Sequence, residues 1–143
     1  MKLSVFFLAA MFAVVSAGCG LANSDFFNKN YEIGKVMEVT VGSEMIWKES
    51  GRRNDVYKNI IGGMRMELIY GGVANDVVKV TYREYNLGGS GDAYARPAFS
   101  QELQYDLKQS RIITFKNTKI EVISAANDKI IYKVLESPEP AKK

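Results

Sequence analysis

The chain contains no histidine and a single cysteine in 143 residues. The missing histidine excludes hydrolases built on a Ser-His-Asp or Cys-His pair, and both scarcities together exclude Cys/His zinc sites. Proline is also rare, at 3 residues, while 47% of the chain is hydrophobic and 24% charged; a chain of that composition buries enough apolar surface to fold. Neither sign of charge dominates: 19 Lys+Arg against 16 Asp+Glu leave +3. The charges are scattered and form no basic stripe, which speaks against nucleic acid as a partner. Phosphate-cradle, dinucleotide, EF-hand and Ser-x-x-Lys motifs are absent as well. No cofactor or metal is expected, and an enzyme working with carboxylates, Tyr, Lys or Arg alone is the weakest of the function classes, since acid-base sites draw first on His. The length admits one domain, because domains usually hold about 100 to 150 residues.

What is present begins with Lys2 and the apolar run Leu3 to Val15, broken only by Ser4, followed by Ser16-Ala17-Gly18. This pattern marks residues 1–18 as a signal peptide, too short in its uninterrupted apolar part for a permanent span of about 20 residues. The string Val15-Ser16-Ala17-Gly18-Cys19 resembles the lipobox of bacterial lipoproteins, with the Ala-Gly-Cys core in place and Ser16 where Leu is usual. The resemblance implies that Cys19 becomes the mature N-terminus, carries diacylglycerol and ties the protein to a membrane of the cell envelope. In a cell with two membranes, Gly20 after the cysteine implies delivery to the outer membrane. Ordinary cleavage after Ala17 is the alternative, and it would export a lone thiol into an oxidising compartment. Residues 19–30 are expected to be the lipidated cysteine and a flexible tether, 31–136 the domain, and 137–143, with two prolines and no apolar bulk, a disordered tail.

Within the domain the hydrophobic period is two. Met37, Val39 and Val41 alternate with polar residues, and after Gly42-Ser43 the run Glu44 to Lys48 suggests the second strand of a hairpin. Met64, Met66, Leu68 and Tyr70 alternate next, residues 71–76 offer a turn, and Val78, Val80 and Tyr82 supply a partner strand. Arg111 to Lys116, Lys119 to Ser124 and Lys129 to Leu135 read as a meander, separated by Asn117-Thr118 and by Ala125 to Asp128. Phe99 to Leu107 fits both a helical and a strand template, with one extra match for the strand. Residues 50–62 combine turn formers with Val56, Tyr57, Ile60 and Ile61 and fit a short helix or a crossing loop. The expected fold is all-β, an antiparallel β-sandwich or small barrel of about seven to eight strands behind the signal peptide and tether.

Candidate sites are few. The glycine-rich loop Leu87 to Asp92 lacks a helix to follow it and reads as a connection between sheets. Met37, Met64 and Met66 read as core fillers rather than soft-metal ligands. Tyr82-Arg83-Glu84-Tyr85, with Tyr94 and Arg96 past the loop, is the densest aromatic and charged cluster, and Arg83, Tyr85, Tyr94 and Arg96 are its expected partner-binding surface, since Tyr and Arg combine rigid area with hydrogen bonding. The competing reading puts Tyr82 in the core, with Arg83 and Tyr85 merely covering the outer sheet face. Two functions follow as expectations: a non-enzymatic, lipid-anchored envelope protein that binds an envelope protein or plays a structural role, or a lipocalin-like barrel for a hydrophobic small molecule.

Overall fold

The computed structural model describes residues 22–88 and 93–140, the side chains of 93–98 excepted. Alternating runs become strands throughout, and no helix forms among the described residues. β1 (Asn23–Lys29), β3 (Glu44–Asn54), β4 (Ile60–Ala74), β5 (Val77–Leu87) and β6 (Ala93–Asp106) make a five-stranded antiparallel sheet in the order β1-β3-β4-β5-β6. β2 (Val36–Thr40), β7 (Ile112–Phe115), β8 (Thr118–Ala125) and β9 (Lys129–Glu136) make a four-stranded antiparallel sheet in the order β2-β9-β8-β7. The two sheets pack face to face as a sandwich of nine strands and do not close into a barrel.

The core lies between them. Ile46, Leu68, Val78 and Val80 from the long sheet meet Ile120, Val122, Ile130 and Val134 from the short one, all essentially sealed from solvent. Tyrosine hydroxyls tie the layers: Tyr132 donates to the Met45 carbonyl and Tyr70 to that of Ala126. Met45 sits at a register shift in β3, where a bulge re-aims the backbone and presents its carbonyl to the facing sheet. Burial pushes the phenols of both Tyr132 and Tyr70 up, so both stay protonated donors at neutral pH.

Several expectations need correction. Residues 23–29, assigned to the tether, are β1, paired along their whole length with β3 from Asn23↔Asn54 to Lys29↔Lys48. The turn at Gly42-Ser43 does not close a hairpin: β2 pairs with β9, and β3 with β1 and β4. Gly42, at φ +82°, lets the chain step from one sheet to the other, and its N–H reaches the Tyr70 carbonyl at 2.7 Å. β4 runs on through Gly71 and Gly72 with a register shift, so the reversal is confined to Asn75-Asp76, both with positive φ as a type I′ turn requires. The last hairpin of this kind turns at Lys116-Asn117, while Thr118 is buried in β8. Phe99 to Asp106 is strand. Residues 50–62, neither helix nor crossing loop, are the distal part of the β3–β4 hairpin. The Gly88 to Asp92 loop joins two neighbouring strands of one sheet rather than two sheets; its residues 89–92 lie outside the described part. Residues 137–140 of the expected tail are held in place: Ser137 shares hydrogen bonds with Tyr31 and Thr118, and Glu139 pairs with Lys29.

At one point the β3–β4 pair comes unusually close. Gly51 faces Gly63, and a Cβ added to Gly51 would stand 2.3 Å from the Gly62 carbonyl oxygen. Only glycine fits an approach of that kind.

Candidate functional site

Because β3 to β6 are 11 to 15 residues long and the strands facing them 4 to 8, the inner face of the long sheet outruns its cover. Register shows where. The row Ile46↔Leu68↔Tyr82 is buried; the next, Lys48↔Met66↔Glu84, marks the edge of the covering sheet; the one beyond, Ser50↔Met64↔Asn86, reaches solvent. Met64, expected in the core, is 42% exposed for this reason. Phe27 of β1 faces Ser50 in the same row.

The uncovered face forms the floor of a groove of about 370 Å³. Phe27, Met64 and Met66 give it an apolar base, and Pro138 to Pro140 form one wall, held there by the Lys29–Glu139 ion pair. Its volume is within the roughly 300–1,000 Å³ typical of small-molecule sites.

At the inner end stands a polar cluster. Glu84 continues the inward series Val78, Val80, Tyr82 and is only 7% exposed. Tyr82 donates its hydroxyl to Glu84, and Lys116 reaches over from the β7–β8 turn to donate to Glu84 at 2.6 Å and to the Tyr82 oxygen. The Lys116 ammonium also lies 4.5 Å from the centre of the Tyr82 ring, which is itself tilted against Phe115. Lys116 achieves this from a left-handed backbone conformation, φ 45°, which costs an L-residue about 1–2 kcal/mol. Burial alone would lower the Lys116 pKa, but its hydrogen bonds to Glu84 and Tyr82 prevail and hold it above the ordinary lysine value. Burial pushes the Tyr82 phenol up, and the hydrogen bond to Glu84 adds to this.

Lys48 differs from its neighbour. It lines the same groove beside Met66, and burial pulls its pKa below the ordinary lysine value, with repulsion from Lys116 pulling the same way. Among the described residues no carboxylate pairs with it. The groove thus presents an apolar floor and a cation held at some electrostatic cost, an arrangement suited to an apolar body carrying one negative charge.

The residues expected to form a partner surface are divided. Arg83 and Tyr85 lie on β5 on the outer face of the long sheet, Arg83 exposed and Tyr85 half-buried, while Tyr82 is in the core. Tyr94 and Arg96 belong to β6, with Tyr94 opposite Asn86 in register; their side chains lie outside the described part, as does Cys19. The outer face carries a network that sequence reading missed. Arg65 stacks over Trp47 at 4.4 Å, donates to Glu67 at 2.7 Å and Glu44 at 3.2 Å, and sits directly across from Tyr85.

Lys48 and Lys116 were missed as well, and Glu84, though part of the cluster, was given no role. Two of them left a signal, since Lys48 follows Ile46 and Glu84 follows Tyr82 on the inward phase of their strands, where a charge is out of place. The third signal was a lysine in a tight turn position that favours Asn or Gly. Comparison of the chain with protein-family models, with curated proteins and with solved structures finds no match.

Proposed function

We propose that the protein is a lipid-anchored, non-enzymatic binding protein of the bacterial envelope, and that the groove on the inner face of the long sheet holds an amphipathic anion, an acyl chain ending in a carboxylate. The anchor rests on the lipobox-like sequence ending at Cys19, with the outer membrane as destination where there are two membranes. The observation that carries the ligand is Lys48, a desolvated ammonium over Phe27, Met64 and Met66 with no carboxylate partner among the described residues. Keeping a cation in such a place costs stability, and that cost is recovered when an anion arrives with apolar mass behind it. This combines the membrane-anchored reading with the small-molecule one, in a sandwich cleft rather than a barrel.

The test is photo-crosslinking of the mature protein in vesicles with a diazirine-bearing palmitate. Adducts should map to the peptides holding Phe27 and Met64 to Met66. They should fall several-fold in Lys48→Met, and the corresponding alcohol should label weakly. Equal labelling by acid and alcohol would sink the carboxylate, and absence of adducts in the groove would sink the ligand. Labelling should also weaken as pH rises through the depressed Lys48 pKa, below the ordinary 10.5, because the neutral amine no longer attracts the anion.

A second reading has its own observation. Exposed Arg83 beside the Trp47–Arg65 stack on the outer face offers the rigid aromatic and guanidinium area that protein partners use. In-cell cross-linking from Arg83 and Tyr85, with capture of the lipidated protein, tests it.

A further inference from the structure

The distal end of the β3–β4 hairpin is firmly built and yet displays apolar side chains to solvent. Asn54, only 6% exposed, accepts the N–H groups of Val56 and Tyr57 on its side-chain oxygen, each at 2.9 Å. Its carbonyl accepts from Lys58 at 2.8 Å, and its own N–H donates to the Asn59 carbonyl at 2.9 Å. Every bond that fixes a tight loop is present. Despite this, Val56 is 62% exposed and Tyr57 72%. Ile61 nearby is half exposed. Arg52, Arg53 and Lys58 surround them. Asp25 and Asp55 counter the two arginines only loosely, at 3.9 Å in each case, which leaves the tip with one positive charge in excess.

The chain's own connectivity says what this tip faces. The Asp55 N–H donates to the carbonyl of Ala22 at 2.9 Å, and the Asn54 side-chain amide to the side-chain oxygen of Asn23 at 3.3 Å. Ala22 is three residues from Cys19, and three residues span at most about 11 Å. The base of the tip at Asp55 is thus tethered within roughly 15 Å of whatever plane Cys19 is anchored in. A bilayer's headgroup layer adds about 5–8 Å on each side of the hydrocarbon, so a lipid on Cys19 keeps Val56 and Tyr57 within reach of the headgroups. Tyrosine prefers that zone, with its ring toward the acyl chains and its hydroxyl toward water, and Arg and Lys are attracted to an anionic surface.

We infer that the β3–β4 hairpin tip, residues 52–61, is a second membrane contact that docks on anionic phospholipid beside the lipidated N-terminus and fixes the orientation of the sandwich on the bilayer. This rests on the lipid-anchor reading of Cys19. The uncovered row Ser50↔Met64↔Asn86 lies between the covered rows and this tip, so a molecule oriented tip-down holds that row on its membrane-facing side.

The experiment uses the mature lipidated protein in vesicles of phosphatidylethanolamine and phosphatidylglycerol. A nitroxide is placed at Tyr57→Cys or, as a reference, at Lys108→Cys, which lies at the opposite end of the long sheet beside Asp76. A thioether-linked Cys19 does not react with the label, and intact mass reports its acylation. The label at 57 should show a several-fold higher ratio of oxygen to nickel-chelate accessibility than the label at 108. That ratio should fall when phosphatidylcholine replaces the anionic lipid and in Arg52→Glu/Arg53→Glu. An acylated chain whose two labels are equally open to nickel overturns the inference while leaving the anchor standing. A label at 57 shielded from both reagents places a protein there instead and overturns it too. A chain without acyl groups on Cys19 that washes off the vesicles overturns the anchor, and the inference with it.

Discussion

The inner face of the long sheet has two halves that share strands, register and alternation but differ in cover. In the closed half, Ile46, Leu68, Val78 and Val80 are fully buried against the short sheet. In the open half the same strands carry first Lys48, Met66 and Glu84 and then Ser50, Met64 and Asn86, with solvent exposure growing outward. Ile46, Leu68 and Tyr82 give way to Lys48, Met66 and Glu84 one row on. A sheet that merely outran its partner would end in ordinary polar residues. One that ends in an exposed Met64, a half-buried Phe27 and a lysine with no carboxylate partner among the described residues is shaped to receive something.

Several substitutions sharpen or break that contrast, and the largest effect belongs to the closed half. Leu68→Ala should cost about 2–5 kcal/mol in urea unfolding, as buried Leu truncations do, whereas Met64→Ala, one row past the cover, should stay within about 0.5 kcal/mol. Equal losses would mean that both halves are packed alike. Next comes the strand crossing between the halves and the hairpin tip. Gly51→Ala drives a Cβ onto the Gly62 carbonyl and should cost about 1–3 kcal/mol; Gly62→Ala, with open space around it, should not. A smaller effect lies at the boundary cluster. In a thermodynamic cycle of Glu84→Gln and Lys116→Gly, the coupling should be about 1 kcal/mol or less, because the lysine is half exposed. Lys116→Gly alone should lose less than Lys116→Ala, since glycine also relieves the left-handed backbone. The least effect is expected on the outer face, where Arg83→Ala should alter stability by no more than about 0.5 kcal/mol. A larger loss would assign Arg83 to the scaffold.

Fold class and most strands were legible because period-two alternation is a local property: Met66, Leu68 and Tyr70 against Val78, Val80 and Tyr82 suffice to show β4 and β5. Strand partners were less legible. Met37 and Val39 alternate as well as any pair, but whether β2 joins β3 or β9 depends on whether Gly42 turns back or steps across, and both need the same positive φ. β1 escaped notice because Asn23-Ser24-Asp25 is tether-like in composition; its order comes from the β3 backbone and from Asp55, thirty residues away in sequence. At the site, Glu84 and Lys48 could be seen as charges on an inward phase. Only the unequal strand lengths of the two sheets reveal that those positions border a groove rather than a core. Lys116 comes from a turn far along the chain, and no local pattern links it to Glu84.

The pairing of β2 with β9 also sets an order of events. The long sheet grows by successive hairpins from β3 to β6, each closing a loop of few residues. β2 must wait for β9, roughly ninety residues later, because Val36 pairs with Lys133 and Thr40 with Lys129. Loop closure over that span is entropically slower than hairpin formation. The unfolded chain therefore builds the long sheet first, and the sandwich stays unlatched until β2 finds β9.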